Sequence, residues 1–133
     1  MTEVAPRVRP LVLVVDDEQL NRELLRRVLK REYDVAEAED AAAAIAALEL
    51  EAAIALVLCD QLMPGRCGTD LADEVRRRWP AIPFMLLTGY DEDAQVRDAV
   101  KRGAVCEVVA KPWRSDQLRA RIAAVIGRGI AAG

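Results

Sequence analysis

Short apolar runs and amphipathic stretches alternate along this chain, and the alternation repeats five times. The runs are Leu11–Val15, Asp34–Glu39, Ala55–Cys59, Pro83–Leu87 and Val105–Ala110. Each is five or six residues long, too short for a stable helix and right for a strand. The second run is the least apolar, with Val35 and Ala36 as its anchors among acidic residues.

Between the runs, apolar side chains recur at helical spacing. Gln19–Arg31 puts Leu20, Leu24, Leu25, Val28 and Leu29 on an expected core face, with Arg22, Glu23, Arg26, Arg27 and Lys30 opposite. Asp40 is placed to cap the Ala-rich helix Ala41–Leu50. Thr69 is placed to cap a third helix with Leu71, Ala72, Val75 and Trp79 inward and Pro80 as its stop. Asp91 is placed to cap a fourth, reaching about Arg102, with Val96, Ala99 and Val100 inward and Gly103 just past its end. A fifth, from about Arg114 to Arg128, turns Leu118, Ile122, Val125 and Ile126 to the core.

Strand–helix alternation with short links predicts an α/β fold, a parallel sheet covered by helices on both faces. Right-handed crossovers then follow. The chain has 133 residues, enough for one domain. That domain is expected over residues 10–128, between an arm at 1–9 and a tail or linker remnant at 129–133. Aromatics are 4% of the residues, so the core must be aliphatic.

Charge and cysteine usage exclude several classes. The formal charge is −3 and both signs are interspersed, so no nucleic-acid footprint is expected. Arg76-Arg77-Arg78 reads as a solvated helix end. The three cysteines, Cys59, Cys67 and Cys106, show no CxxC spacing, and there is no His, which argues against a zinc site. Cys59 and Cys106 fall inside expected buried strands, where a free thiol acts as a small apolar group. A reducing compartment, the cytoplasm, is the expectation. No run approaches about 18 apolar residues, so no membrane span is expected.

Polar groups close four of the five runs. Asp16 and Asp17 follow the first, Asp60 the third, Thr88 the fourth and Lys111 the fifth. In an open parallel sheet these positions converge at the carboxyl ends of the strands, where such folds hold their sites. Two carboxylates about 4 Å apart repel by roughly 4 kcal/mol at an effective dielectric near 20. Three together require either a raised pKa or a bound cation. An oxygen-only donor set favours Mg²⁺ (or Mn²⁺). With Asp16 and Asp17 on the metal, Asp60 is the candidate nucleophile toward phosphorus, forming an aspartyl phosphate. Lys111 would neutralise the phosphoryl charge and Thr88 would donate a hydrogen bond to it.

These residues resemble a known family. Val14-Val-Asp-Asp-Glu18, Leu58-Cys-Asp-Gln-Leu-Met-Pro-Gly65 with Gly68, Leu87-Thr-Gly89 and Lys111-Pro112 are similar to the motifs of response regulator receiver domains. The likeness runs from about Val8 to Arg128. It implies a (βα)5 doubly wound, flavodoxin-like sheet in the order 2-1-3-4-5. It implies Asp60 as phosphoacceptor and Asp16, Asp17, Asp60 and the backbone carbonyl of Leu62 as metal ligands. Thr88, with Gly89 beside it, and Lys111 correspond to the phosphate-binding switch. The implied donor is a histidine kinase or histidine phosphotransfer protein docking near the first helix. The implied role is a phosphorylation-controlled signalling switch in a two-component system, with no turnover beyond self-phosphorylation and self-dephosphorylation. Output would pass through the surface of the fourth helix, fifth strand and fifth helix, also the candidate dimer face. One position departs: Val108 stands three residues before Lys111, where the family usually has Tyr or Phe.

Three other readings compete. A receiver-like binding module or kinase scaffold would keep the fold without phosphotransfer, and Val108 leans that way. A haloacid-dehalogenase-type phosphohydrolase needs a second Asp two residues after the nucleophile, where Leu62 stands. A flavin carrier needs a Ser/Thr/Gly-rich phosphate loop after the first strand, and Asp16-Asp17-Glu18 would repel a flavin phosphate.

Overall fold

The computed structural model describes residues 9–51, 53–89 and 93–132. Its elements alternate as β1 (Leu11–Val15), α1 (Gln19–Leu29), β2 (Asp34–Ala38), α2 (Ala41–Leu50), β3 (Ile54–Asp60), α3 (Gly68–Arg78), β4 (Phe84–Thr88), α4 (Ala94–Lys101), β5 (Glu107–Ala110) and α5 (Ser115–Ala132). The five strands pair in parallel in the order β2-β1-β3-β4-β5. This is the fold that the alternation and the resemblance predict.

The two-residue repeat of each strand divides the core in two. Leu11, Leu13, Val15, Val57, Cys59, Phe84 and Leu86 face α2, α3 and α4. Val12, Val14, Leu56, Leu58, Met85 and Leu87 face α1 and α5. Leu118, Ile122, Val125 and Ile126 of α5 are buried as their spacing predicts. Asp40 caps α2 by accepting a hydrogen bond from the Ala43 amide at 2.8 Å. Gly103 takes φ +81° just past α4, a conformation that favours glycine.

Several expectations are corrected. Leu20 and Leu24 are 78% and 47% exposed, because α1 meets the sheet through Leu25 and Leu29 while their side of the helix is left uncovered. Val100 is 43% exposed; α4 buries only Val96 and Ala99. The cap of α4 is Asp93, which accepts from the Gln95 amide at 2.7 Å, while Asp91 lies outside the described residues. Thr69 does not cap α3: the helix begins at Gly68, whose amide bonds the Gln61 carbonyl at 2.9 Å, and Thr69 is buried in its first turn. The fifth strand starts at Glu107 rather than Val105. The amides of Ala104 and Val105 turn back to the Ala99 carbonyl, the first bond to the sheet is the Cys106 amide on the Phe84 carbonyl, and Cys106 is exposed. At the far end α5 continues through Ala132, beyond Arg128.

Candidate functional site

Register brings the polar strand ends together. Val15 pairs with Cys59, Asp60 with Leu87 and Thr88 with Ala110, so the residues that follow or close these strands line one edge of the sheet. One carboxylate oxygen each from Asp16, Asp17 and Asp60 lies within 4.8 Å of the others. Asp16 and Asp60 are buried and Asp17 is exposed. The Lys111 ammonium donates to Asp60 Oδ1 at 2.7 Å. Thr88 is buried, and its carbonyl accepts from the Lys111 amide at 2.9 Å. Gly89 and Leu62 are exposed beside this edge. The Lys111–Pro112 peptide is cis.

The electrostatics follow from crowding. Burial pushes the Asp16 carboxyl above its ordinary range, and the Asp60 charge adds to this. The Glu18 amide, Lys111 and Asn21 oppose the rise without cancelling it. One ammonium therefore leaves three carboxylates short of positive charge. Burial first, and then the Asp60 and Asp16 charges, push the Cys59 thiol well above its ordinary value, which keeps it an apolar packing group.

Two supports were not legible as functional from residue types. Arg22 on α1 donates to the Asp16 carbonyl at 2.7 Å and to Glu37 of β2 at 3.1 Å. It thereby ties the acidic loop to the neighbouring strand. Gln61, next to Asp60, is buried and accepts from the Thr69 amide at 2.9 Å through its side chain. Gly68 completes this clamp: a Cβ there would lie 2.7 Å from the Asp60 carbonyl and 2.6 Å from Leu86 Cδ2. A buried amide beside a strand-end aspartate and a glycine opening a helix were the available signals. Nothing local in sequence links Arg22 with Glu37.

The donor set fits a small hard cation. It is all oxygen, it carries excess negative charge, and its atoms lie close enough to share one ion. The chain matches the response regulator receiver domain family over residues 12–123. It belongs to that family. Among relatives of this receiver domain is the hydrogenase transcriptional regulatory protein HoxA of Cupriavidus necator, 38% identical over 107 residues, 80% of this chain and 22% of HoxA. The transcriptional regulatory protein ResD of Bacillus subtilis is 36% identical over 118 residues, 88% of this chain and 48% of ResD. The chain thus spans less than half the length of either.

Among solved structures, the Thermotoga maritima response regulator TrrA, in complex with Mg²⁺ and BeF, superposes with TM-score 0.77 at 32% identity, covering 87% of this chain and 98% of that one. A CheY-like receiver domain of Methanospirillum hungatei gives TM-score 0.88 at 23% identity over 94% of this chain and 99% of that one, a likeness of fold. Val108 sits in β5, partly buried against the core shared with α3 and α4. Among the described residues no helix is long and apolar enough to cross a membrane.

Proposed function

We propose that this receiver domain is a phosphorylation-controlled switch that accepts a phosphoryl group on Asp60 from a histidine kinase or histidine phosphotransfer protein. The carrying observation is the meeting of three carboxylates within 4.8 Å, one of them held by Lys111. Asp16, Asp17, Asp60 and the Leu62 carbonyl would hold Mg²⁺ (or Mn²⁺), which supplies charge neutralisation for the phosphoryl oxygens.

The chain's own groups do the rest. An Asp60 carboxylate oxygen forms the new bond to phosphorus as the bond from phosphorus to the donor's imidazole nitrogen breaks. The electron pair stays with that nitrogen. Lys111, already 2.7 Å from Asp60, pairs with the phosphoryl oxygens as they arrive. Thr88 donates a hydrogen bond to one of them, with Gly89 leaving the approach open. Positioning and charge stabilisation supply most phosphoryl-transfer catalysis, so no further acid or base is required.

The donor's docking surface is supported by α1. Leu24, half-exposed on α1, lines a cavity of about 540 Å³ with Leu25, Trp113, Asn21, Asp16 and Lys111. An apolar wall beside the acidic edge suits a partner helix that presents a phosphohistidine. HoxA and ResD are transcriptional regulatory proteins by name. Output here would leave through α4, β5 and α5, the surface also available for a dimer. The free cysteines fit a cytoplasmic setting.

The test is incubation of the chain with Mg²⁺ and acetyl phosphate. One acid-stable, alkali-labile phosphoryl group is expected, absent with a chelator and absent in Asp60→Ala. Val108 favours one other reading, a kinase-binding scaffold that takes no phosphoryl group. Kinase binding with an unlabelled Asp60 would select it.

A further inference from the structure

The family's usual way of relaying the event needs an aromatic side chain in β5, and this chain has Val108 in its place. A different contact joins the site to α4. The Gln61 side chain binds Thr69 twice: its oxygen accepts from the Thr69 amide at 2.9 Å, and its nitrogen donates to Thr69 Oγ1 at 3.3 Å. Thr69 Oγ1 lies 3.2 Å from Cys67 Sγ. Cys67 Sγ in turn accepts a hydrogen bond from Gln95 Nε2 at 3.2 Å. Gln95 stands in the first turn of α4, and its amide is the one that Asp93 caps. An unbroken series of polar contacts therefore runs from the residue after Asp60 to the start of α4.

We propose that the Gln95–Cys67 hydrogen bond is the tether that holds α4 in its unphosphorylated position, and that phosphoryl acceptance on Asp60 releases it. The inference rests on the phosphoacceptor reading above and names how that site reaches its output surface. Its inner end is stiff. Gly68 has no space for a side chain against the Asp60 carbonyl, and its amide is fixed to the Gln61 carbonyl at 2.9 Å. A shift of the Asp60–Gln61 backbone must therefore carry the start of α3, and Cys67 with it. Its outer end is weak. The last link is a contact to sulfur, a poor acceptor, on a partly exposed thiol, and Gln95 is exposed. α4 is short and buries only Val96 and Ala99, and its polar ties to α3 through Arg102, to Asp73 and from Arg76, lie at its far end, so they leave its start free to move. A rigid input joined to a breakable output contact on a loosely packed helix gives the two arrangements that a switch requires.

The experiment is backbone amide exchange across α4 in the wild type, Gln95→Ala and Cys67→Ala, each with and without Mg²⁺ and beryllofluoride. Alanine is the better helix former, so Gln95→Ala cannot speed exchange in α4 through helix propensity. Without beryllofluoride, both variants are expected to exchange roughly twofold faster at the start of α4, the low end of what one hydrogen bond contributes, as suits a sulfur acceptor. They should then resemble loaded wild type there, and beryllofluoride should add little further change in α4 while still protecting residues around Asp60. Unchanged exchange in both unloaded variants, or a full α4 response to beryllofluoride in both, overturns the tether. Absence of any beryllofluoride effect near Asp60 in wild type would instead sink the phosphoacceptor reading. The unloaded comparison reads the Gln95–Cys67 bond independently of that outcome.

Discussion

Two ion pairs of nearly equal length behave differently because of where they sit. At the sheet edge, Lys111 meets Asp60 at 2.7 Å, with side chains 32% and 11% exposed. On the outer surface of α3 and α4, Arg102 meets Asp73 at 2.9 Å, with side chains 37% and 49% exposed, and also pairs with Asp98. On the surface, water screens both charges and leaving the pair open costs little. At the edge, two further carboxylates crowd Asp60 beside that one ammonium, and burial pushes Asp16 above its ordinary range. The contact distance is shared; the charge balance and the solvent are not. The edge is left demanding a cation, while the surface is already satisfied.

The largest test of this contrast removes the ammonium. Lys111→Met should slow Mg²⁺-dependent labelling of Asp60 by acetyl phosphate about 100-fold, the scale for losing one charge-stabilising donor. Mg²⁺ should bind more tightly, since the resident cation no longer competes for Asp60. Labelling at the wild-type rate would show that Lys111 is merely a surface partner like Arg102.

Rigidity separates the regions next. Gly68→Ala forces a Cβ to within 2.7 Å of the Asp60 carbonyl, a backbone atom that cannot step aside cheaply. Overpacking of this kind costs about 1–3 kcal/mol, read as a lower urea midpoint, and should weaken Mg²⁺ binding as Asp60 is displaced. An unchanged midpoint would mean that the β3–α3 turn is softer than its contacts imply.

What sequence reveals follows the same division. Asp16, Asp60 and Lys111 are legible because each ends a strand, and strand ends in a parallel sheet share one edge. The strand order was supplied by the resemblance, since hydropathy carries no information about neighbours. Periodicity marks Leu20 and Leu24 as apolar but does not say whether anything covers them; among the described residues Leu20 is left largely bare and Leu24 about half so, and that exposure is what recommends α1 as a docking face. Cys106 reads as a strand residue because it sits in an apolar run, yet the Ala104 and Val105 amides are already spent on the end of α4. Arg22 and Glu37 are 15 positions apart and become partners only once β1 and β2 pair.

The charge imbalance also gives a pH dependence. The folded chain holds the Asp16 proton more tightly than the unfolded chain, whose carboxyl titrates near 3.9. That contribution favours folding below the unfolded value and is lost as pH rises through the higher folded value. Asp16→Asn keeps an oxygen for the Glu18 amide, now bonded to Asp16 Oδ1 at 2.9 Å, but removes the charge. Its metal-free melting temperature should match wild type in acid and exceed it by a few degrees at neutral pH. Added Mg²⁺ should narrow that gap by raising wild type, because a ligand of the folded state alone stabilises it. A variant less stable than wild type at neutral pH without metal would contradict the crowding.

The smallest expected effect is on the surface, where the comparison predicts none. Arg102 loses three hydrogen bonds to two carboxylates in Arg102→Ala, two of them a fork on Asp73, yet those carboxylates stay in water and need no replacement partner. The urea midpoint should stay within the scatter of replicates, and Mg²⁺ affinity should not move, because the α3–α4 outer surface is remote from the acidic edge. One side effect must be separated: Arg102 also caps the end of α4, with its amide on the Asp98 carbonyl at 3.0 Å. Alanine preserves that amide, so a midpoint drop in Arg102→Ala would have to come from the side chain. Such a drop would show that exposure alone does not decide what these ion pairs are worth.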